Sequence, residues 1–366
     1  MIGQKGIPRM GEFGGGIETH VEELATRLAA RGHRVFVYVR PWFQKESKRR
    51  HGKVTLLRKW TLKSKNLETI IHTFLCTLDV LFKRADIIHY HGVGPSTIAW
   101  LPRVFKRDAK VVVTFHSQDR FHKKWGWFAR FYLGWGEWTA CRFAHETICV
   151  SHNLQIYCAR KFRAKTHYIP NGVEIQRSRK NTELKQFGLA PNEYFLVVAR
   201  LVQHKGIHYL IQAFQGLKTR KKLVIVGAPS FSGQYLKFLQ ALAEGRRNII
   251  FTGFRTGETL KQLFANTYAY VHPSESEGLS ITILEAMSFG KCVLISDIPE
   301  NLETIDHSGF SFRSGSVLDL RKKMRYLLEN PKVVAKKGGL ARQFMVKYFN
   351  WDEIVEQTQS LYSQLK

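Results

Sequence analysis

Long apolar runs, paired cysteines and acidic residues are all scarce in this sequence. No apolar stretch approaches the about 18 residues that a membrane-spanning helix needs, and the most apolar helical candidate, 67–82, is interrupted by His72 and Asp79. Residues 1–16 lack the apolar core of a secretory signal. The five cysteines form no Cys-x-x-Cys pair. We therefore expect a cytoplasmic protein with reduced thiols, and neither a disulfide framework nor a zinc ribbon.

The scarcity of acids leaves a large positive charge. The chain has 57 Lys and Arg against 29 Asp and Glu, a net charge of +28. Most of the excess lies in residues 1–170, where 30 basic residues face 12 acidic ones. Such a field attracts polyanions: nucleic acid, anionic lipid headgroups or phosphorylated substrates. Composition alone leaves the choice among them open, and many of the charges are expected to be solvated surface.

The order of apolar runs indicates two domains, each built from β-α units around a parallel sheet. A chain of 366 residues exceeds one ordinary core. The segment 170–181 interrupts the pattern, so we predict a domain boundary there. Only Met1 and Ile2 precede the first glycine loop, which predicts a shortened first strand. The strand candidates are 34–40, 86–90, 110–115, 145–150 and 166–169 in the first domain, and 194–199, 222–226, 248–252, 268–271 and 292–295 in the second.

Two of the three glutamates in the segment SESEGLSITILEAMSFGKCVLISD, residues 274–297, are candidate site residues. Glu277 precedes a glycine, and Glu285 lies on a predicted helix. An ionised carboxylate can accept hydrogen bonds from neighbouring sugar hydroxyls. Small residues before the helix allow its free N–H groups to approach an anion. Taken alone, two glutamates at this spacing are also consistent with a capped surface helix.

Two cations follow a predicted strand in VVARLVQHKGIHYLIQAF, residues 197–214. Arg200 ends the strand, and Lys205 precedes the next helix. Cations held at a strand end can neutralise a diphosphate and stabilise it as a leaving group. As a bare Arg-x4-Lys pattern, the pair could equally be solvated loop charges.

A glycine loop, Gly11–Gly16, leads into a helix that begins near Ile17. Glycine lets the backbone approach a phosphate or sugar, and the helix N-terminus offers unpaired N–H groups. Histidines stand at the ends of two strand candidates, His89 and His91 at one and His116 at the next. Cysteine partners and an Asp-x-Asp element are both missing, so we predict no metal site. His89 and His91 are predicted to form a loop.

Together these motifs resemble the retaining glycosyltransferases of the GT-B fold, family four, of the kind that builds bacterial surface polysaccharides. PNGVE (170–174) and NWDEIVEQTQSLYSQL (350–365) are similar to the hinge and last helix of that family, although the family usually has Asp at the position of Glu174. The resemblance implies two Rossmann-like α/β domains facing each other across a cleft. They are an acceptor domain, 1–170, and a nucleotide-sugar donor domain, 171–345, with a terminal helix, 346–366, packing back on the first domain.

The resemblance also implies an activity. This is transfer of a hexose-type sugar from a UDP- or GDP-linked donor to a glycan or lipid-linked acceptor in polysaccharide or glycolipid synthesis, with no cofactor or metal. Glu277 and His116 would contact the sugar, and Glu285 the ribose. The implied catalytic positions are Arg200, Lys205, Glu277 and His116; the donor-binding positions are Glu285, Gly278, Leu279, Ser280, Gly15 and Gly16; and the acceptor-side positions are Glu18, His91 and Ser117.

One segment, Asp119–Phe143, concentrates tryptophan and phenylalanine among Lys and Arg. Such a stretch can stack on single-stranded nucleic acid, settle into an anionic membrane interface, or pack its rings into the core. We favour the membrane surface, and hence a peripheral location. Rival classes are a basic nucleic-acid-binding protein, a nicotinamide-dependent dehydrogenase and an inactive relative that only binds nucleotide sugar. The dehydrogenase requires an acid where Arg40 stands.

Overall fold

The computed structural model describes residues 1–8, 15–43, 49–62, 64, 67–121, 126–176, 178, 180–229 and 233–365. The chain divides into unit 1, which comprises Met1–Asn171 and Trp351–Lys366, and unit 2, which is Gly172–Asn350. Each unit has parallel strands covered by helices, so the predicted α/β class is confirmed. The predicted terminal segment began at residue 346, whereas the last helix begins at Trp351, because the preceding helix of unit 2 continues to Tyr348.

Unit 1 alternates strands and helices along the chain. Its strands are β1 (Phe36–Val39), β2 (Arg50–His51), β3 (Val54–Arg58), β4 (Ile87–His91), β5 (Lys110–Phe115), β6 (Glu146–Cys149) and β7 (His167–Tyr168). Its helices are α1 (Gly16–Ala30), α2 (Leu67–Leu81), α3 (Val93–Ser96), α4 (Trp100–Phe105), α5 (Trp127–Phe143), α6 (His152–Phe162) and, from the end of the chain, α14 (Trp351–Gln364). A 3-10 turn occupies Asp119–Phe121.

The strands of unit 1 form two sheets, in the orders β1-β3-β2 and β4-β5-β6-β7. Met1 and Ile2 lie between these sheets and bond to both. The Tyr38 amide of β1 donates to the Met1 carbonyl at 3.1 Å, and Ile2 pairs in parallel with Tyr90 of β4. The Gln4 amide group adds a bond of 2.8 Å to the Tyr38 carbonyl. The place of the predicted first strand is therefore held by two residues.

Unit 2 continues the same alternation. Its strands are β8 (Tyr194–Val198), β9 (Lys222–Val226), β10 (Ile249–Gly253), β11 (Ala269–His272), β12 (Cys292–Ser296) and β13 (Phe310–Phe312). Its helices are α7 (Ile207–Gln215), α8 (Gln234–Leu242), α9 (Gly257–Asn266), α10 (Ile281–Ser288), α11 (Pro299–Ile305), α12 (Val317–Glu329) and α13 (Pro331–Tyr348). Short 3-10 turns occupy Thr182–Phe187 and Gln203–Lys205.

All strands of unit 2 run parallel in one sheet of order β10-β9-β8-β11-β12-β13. Strands such as Cys292–Ser296 are buried along their whole length. Near-continuous apolar runs of this kind are typical of strands that helices cover on both faces. Numbered from β8, the order is 3-2-1-4-5-6, that of a Rossmann fold.

Helix α14 belongs to the core of unit 1. Trp351, Val355 and Leu361 are buried there together with side chains of α1 and β1. The Tyr362 hydroxyl lies 2.6 Å from Nδ1 of His89 on β4. All five cysteines are described and none forms a disulfide. Among the described residues, no helix combines the length and the apolar character needed to cross a bilayer.

Candidate functional site

The candidate donor site lies at the switch point of the unit 2 sheet. Between β8 and β11 the strand order reverses, and the carboxyl ends of the strands at such a point form the ligand crevice of doubly wound folds. The predicted cations Arg200 and Lys205 follow β8, while Glu277 and Ser280 follow β11. Because β8 and β11 are neighbours in the sheet, the fold brings together two motifs that are far apart in sequence.

A glycine joins the two loops. Gly206 has a φ of +64°, and a Cβ added to it would lie 2.0 Å from the Pro273 carbonyl oxygen. Any larger residue would push the β8 loop away from the β11 loop. The contact continues in a backbone bond of 2.8 Å from the Glu275 N–H to the His204 carbonyl. Tyr209 on α7 also donates to the Glu275 carboxylate at 2.9 Å. Lys205 is thereby placed against the loop that carries Glu277.

Lys205, Glu277 and His272 form a buried cluster. The Lys205 ammonium donates to Oε1 of Glu277 at 2.5 Å, and Nε2 of His272 lies 2.7 Å from the same oxygen. Burial opposes ionisation of Glu277, but the Lys205 charge and the bond from His272 prevail and hold the pKa of the carboxyl well below its usual range. Burial lowers the pKa of His272, partly offset by Glu277, so the ring is neutral. Glu277 is therefore a fixed anion.

The cluster extends away from Glu277 through hydroxyl groups. A carboxylate only accepts, so neutral His272 carries its proton on Nε2 and needs a donor at Nδ1. The Tyr270 hydroxyl lies 3.1 Å from Nδ1 and 3.2 Å from the Val198 carbonyl, and its one proton can be donated to either acceptor. Burial raises the pKa of Tyr270, which stays protonated. The Thr282 hydroxyl lies 2.9 Å from Tyr270, and the Ser280 hydroxyl lies 3.2 Å from Thr282. Hydrogen-bonded contacts thus link Glu277 to the start of α10.

Three members of this network were missed by the sequence analysis: His272, Tyr270 and Thr282. The predicted strand 268–271 stops one residue short of His272, which is the last residue of β11. A polar side chain at the carboxyl end of a buried parallel strand was the available signal, because such ends face the ligand crevice.

The remaining donor-side residues surround this network. Arg200 is exposed and forms no ion pair with any residue that the structure describes. Gly278 and Leu279 are buried, and Ser280 lies directly before the first turn of α10. Glu285 lies on α10 and is half-buried. The structure thus brings Lys205 to Glu277, whereas Arg200 is not bonded to either of them.

The described part of the glycine loop caps α1. Gly11–Gly14 lie outside the described residues, whereas Gly15 precedes α1 and Gly16 begins it. The buried Glu18 carboxylate accepts from the Gly15 N–H at 2.7 Å and from the Lys5 N–H at 3.0 Å. These two bonds give Glu18 a local capping function. Its acceptor-side role stays a prediction.

The histidines of unit 1 form a buried cluster. The prediction that His89 and His91 form a loop is wrong, because both lie in β4, where parallel pairing with β5 fixes them. His89 has both ring nitrogens bonded, to Tyr362 and Thr114. Nε2 of His116 lies 3.4 Å from Nδ1 of His91. Ser117, next in the chain, donates to Asp119 at 2.6 Å.

His20 of α1 completes this cluster, and sequence reasoning missed it. The ligand atoms of His20, His91 and His116 lie within 4.8 Å of one another. Burial and neighbouring histidines lower the pKa of His91 and His116. Burial lowers the pKa of His20 to about 4, partly offset by Asn171. Three neutral imidazoles are a ligand set that Zn²⁺ accepts. The prediction of no metal site stays a prediction.

Comparison with known proteins gives the family. Residues 180–344 match the model of glycosyl transferases group 1, and residues 14–177 match that of Glycosyltransferase Family 4. The chain is 30% identical over 274 residues to the D-rhamnosyltransferase WbpZ of Pseudomonas aeruginosa, covering 70% of this chain and 68% of that protein. These matches define a sugar transferase.

Solved structures share the fold. The sucrose-phosphate synthase of Thermosynechococcus elongatus has a TM-score of 0.87 at 21% identity, covering 100% of this chain and 97% of that one. HepE of Anabaena in complex with UDP-glucose has a TM-score of 0.79 at 20% identity, covering 99% and 98%. The chain belongs to the family 4 glycosyltransferases of the GT-B fold, and the predicted fold and transferase class are confirmed.

Proposed function

We propose that this glycosyltransferase retains the anomeric configuration of a hexose-type sugar that it takes from a UDP- or GDP-linked donor. Its acceptor is a glycan or a lipid-linked glycan of a cell-surface polysaccharide or glycolipid. The relatives named above support a nucleotide-sugar donor, since HepE was solved with UDP-glucose. We place the activity in the cytoplasm, at the inner face of a membrane that the segment Asp119–Phe143 contacts.

The buried Lys205–Glu277–His272 cluster is the observation that carries this proposal. Both contacts to Glu277 fall on Oε1, and no described residue bonds to Oε2. A carboxylate oxygen in this position can accept from a sugar hydroxyl, and the cluster keeps it ionised. His272 and Lys205 also fix its orientation, so little reorganisation is needed on binding.

We assign the diphosphate to Arg200 and Lys205. Arg200 is exposed beside β8, and an ammonium has three donors, of which Glu277 takes one. As the bond from the sugar to the diphosphate breaks, charge grows on the leaving oxygen, and these cations stabilise it. The acceptor oxygen attacks from the same face and transfers its proton to the departing phosphate. No dedicated base is assigned, and a metal is not needed to neutralise the diphosphate. Glu285 holds the ribose, and His116 contacts the sugar.

A panel of UDP- and GDP-linked sugars tests the proposal by thermal stabilisation and by slow donor hydrolysis. Glu285→Ala should weaken stabilisation by the donor, whereas Arg200→Ala should mainly lower turnover. Glu329→Ala and Arg325→Ala, at exposed positions of α12, are the matched controls and should leave both quantities unchanged. NMR of the product anomer tests retention.

The outcomes separate the alternatives. Stabilisation without hydrolysis or transfer identifies an inactive nucleotide-sugar-binding relative. Absence of stabilisation by every donor, or kinetics of Glu285→Ala and Arg200→Ala that match those of the controls, contradicts the site assignment. Inversion of the anomer contradicts retention alone.

A further inference from the structure

Helix α5 presents its aromatic side chains to solvent. Trp127, Phe128 and Phe131 are 82%, 64% and 69% exposed, and Trp135 and Trp138 are exposed as well. Positions 127, 131, 135 and 138 follow the helical repeat, so their rings share one face. The alternative in which these rings pack into the core is therefore not the one that the structure shows.

Small residues occupy the inner face of α5 instead. Gly136 and Ala140 are buried, and a Cβ added to Gly136 would lie 2.0 Å from the Val93 carbonyl oxygen of α3. The helix cannot rotate its rings inward without driving side chains into α3. The apolar outer face is thus imposed by the packing of the inner one.

Two neighbouring helices add exposed apolar side chains. Helix α4 contacts both α2 and α5. On α2, Phe74 and Leu78 are exposed four positions apart, and Phe82 directly after it is 90% exposed. On α4, Val104 and Phe105 are exposed. We name these side chains, with those of α5, the aromatic face of unit 1. Exposed apolar side chains concentrated on neighbouring helices in this way mark an interaction site.

Cations outnumber acids at the aromatic face, where the exposed acids beside the helices are Asp86 and Asp108, and Asp108 pairs with Lys106 at 3.2 Å. Exposed cations accompany the rings on or beside the three helices: Arg84, Arg103, Arg107, Arg130 and Arg142. The one acid of α5, Glu137, is fully buried and paired with Lys161. Asp79 of α2 is paired with Lys59. The surface therefore complements a negatively charged apolar partner.

We propose that the aromatic face docks onto the interface of an anionic lipid bilayer. Trp and Phe enter the boundary between headgroups and acyl chains, while arginines beside them meet lipid phosphates. The side chain of Trp135 has both characters, since Nε1 donates to the Thr97 carbonyl at 3.1 Å while the ring is half exposed. The proposal extends the contact beyond 119–143 to α2 and α4.

Single-stranded nucleic acid fits this surface less well. Bases stack on open ring faces, but Trp135 and Trp138 pack against each other with centroids 4.8 Å apart, and Phe143 lies 5.3 Å from Trp138. A bilayer requires no open ring faces and no register. The purpose of this docking rests on the proposed function, because a lipid-linked acceptor would be reached at the membrane surface. Docking itself can be measured without turnover.

Vesicle sedimentation tests the docking with the full chain. We compare phosphatidylcholine vesicles with vesicles containing about 30 mol % phosphatidylglycerol, and expect binding to the anionic vesicles that weakens with salt. Trp127→Ala/Phe131→Ala should reduce partitioning at least about tenfold, because two large apolar side chains leave the interface. Arg107→Glu/Arg130→Glu should remove the preference for anionic lipid. Leu318→Ala/Phe238→Ala, two exposed apolar positions of unit 2, is the matched control and should bind as the parent.

Several results would overturn the proposal. It would be overturned if the protein did not bind anionic vesicles, if it bound neutral vesicles equally well, or if the unit 2 control lost as much vesicle binding as Trp127→Ala/Phe131→Ala. It would also be overturned if polyuridylate released the protein from vesicles and the unit 1 variants lost polyuridylate binding. Circular dichroism confirms that each variant is folded. Donor hydrolysis in lipid-free solution keeps the two proposals apart, since Trp127→Ala/Phe131→Ala should hydrolyse donor like the parent. If the protein binds vesicles but no nucleotide sugar, the docking proposal stands and the proposed function is contradicted.

Discussion

Replacing His272 by Phe tests whether this ring maintains the Glu277 anion. The change removes the 2.7 Å bond to Oε1 in a site where His272 is buried and Glu277 is shielded from water. A hydrogen bond to a charged group contributes about 1.5–3 kcal/mol, so kcat/KM should fall roughly tenfold to a hundredfold. Lys205 remains bound, so the fold of the loop should survive.

The pH dependence of kcat/KM should shift in a defined direction in His272→Phe. Glu277 acts as an anion, and its pKa is held low by Lys205 and His272 against the effect of burial. Without His272 the pKa of Glu277 rises, so ionisation is lost at a higher pH as the solution is acidified. The acid limb of kcat/KM should therefore move to higher pH in His272→Phe. A merely structural role would lower the rate without moving that limb.

The assay is donor hydrolysis across acid and neutral pH, with the nucleotide sugar that stabilises the protein best. His272→Gln keeps an N–H donor and should recover part of the rate and of the acid limb. His208→Phe, a half-buried ring on α7 bonded to Tyr235 at 2.8 Å, is the matched control. A folded His272→Phe enzyme whose rate and acid limb coincide with those of the parent would refute the reasoning.

Three further predictions concern packing, protonation and metal. Gly206→Ala should cost about 1–3 kcal/mol in urea unfolding, since its Cβ would meet Pro273, whereas Gly245→Ala, with φ of +73° and nothing within 4 Å, should lose only about 1 kcal/mol; equal losses would refute the clash. The pKa of His20 is about 4, below its value in the unfolded chain, so the unfolded chain binds the proton first as the pH falls. The free energy of unfolding should therefore decrease from about pH 6.5 to 4, by up to about 1.4 kcal/mol per pH unit. A thermal unfolding midpoint that does not change over this pH range would contradict this. A chelator should leave donor hydrolysis unchanged, and metal analysis of the purified protein should show no zinc. Zinc that is bound by the parent protein and absent from His91→Ala would contradict this prediction.

Much of the sheet could be read from the sequence, because its strands are short apolar runs buried on both faces. Lys222–Val226 and Lys110–Phe115 coincide with the predicted strands. Val54–Arg58 and Phe310–Phe312 were missed, since they are short or partly exposed and carry no clear period. Their strand conformation comes from pairing with distant strands, which local sequence does not contain.

Some residues of the candidate site could likewise be predicted from the sequence, and others could not. Lys205 and Glu277 were predicted because their residue types and their positions after strands already indicate anion and hydroxyl binding. The role of His272 depends on which atom its ring faces, and that is decided only when two loops meet at Gly206. For α5 the aromatic composition fits an inward or an outward face; the outward face was favoured, and the packing of Gly136 decides between them.

The chain returns to unit 1 after Asn350, and its last helix supplies part of the core of that unit. Trp351, Ile354, Val355, Leu361 and Tyr362 are buried, and each such side chain contributes about 1.5–3 kcal/mol when removed from water. The net stability of a domain is only about 5–15 kcal/mol, so the loss of these buried side chains together would remove a large part of it. A stop codon just before Trp351 should therefore strongly destabilise unit 1, although every strand of its sheets would still be translated.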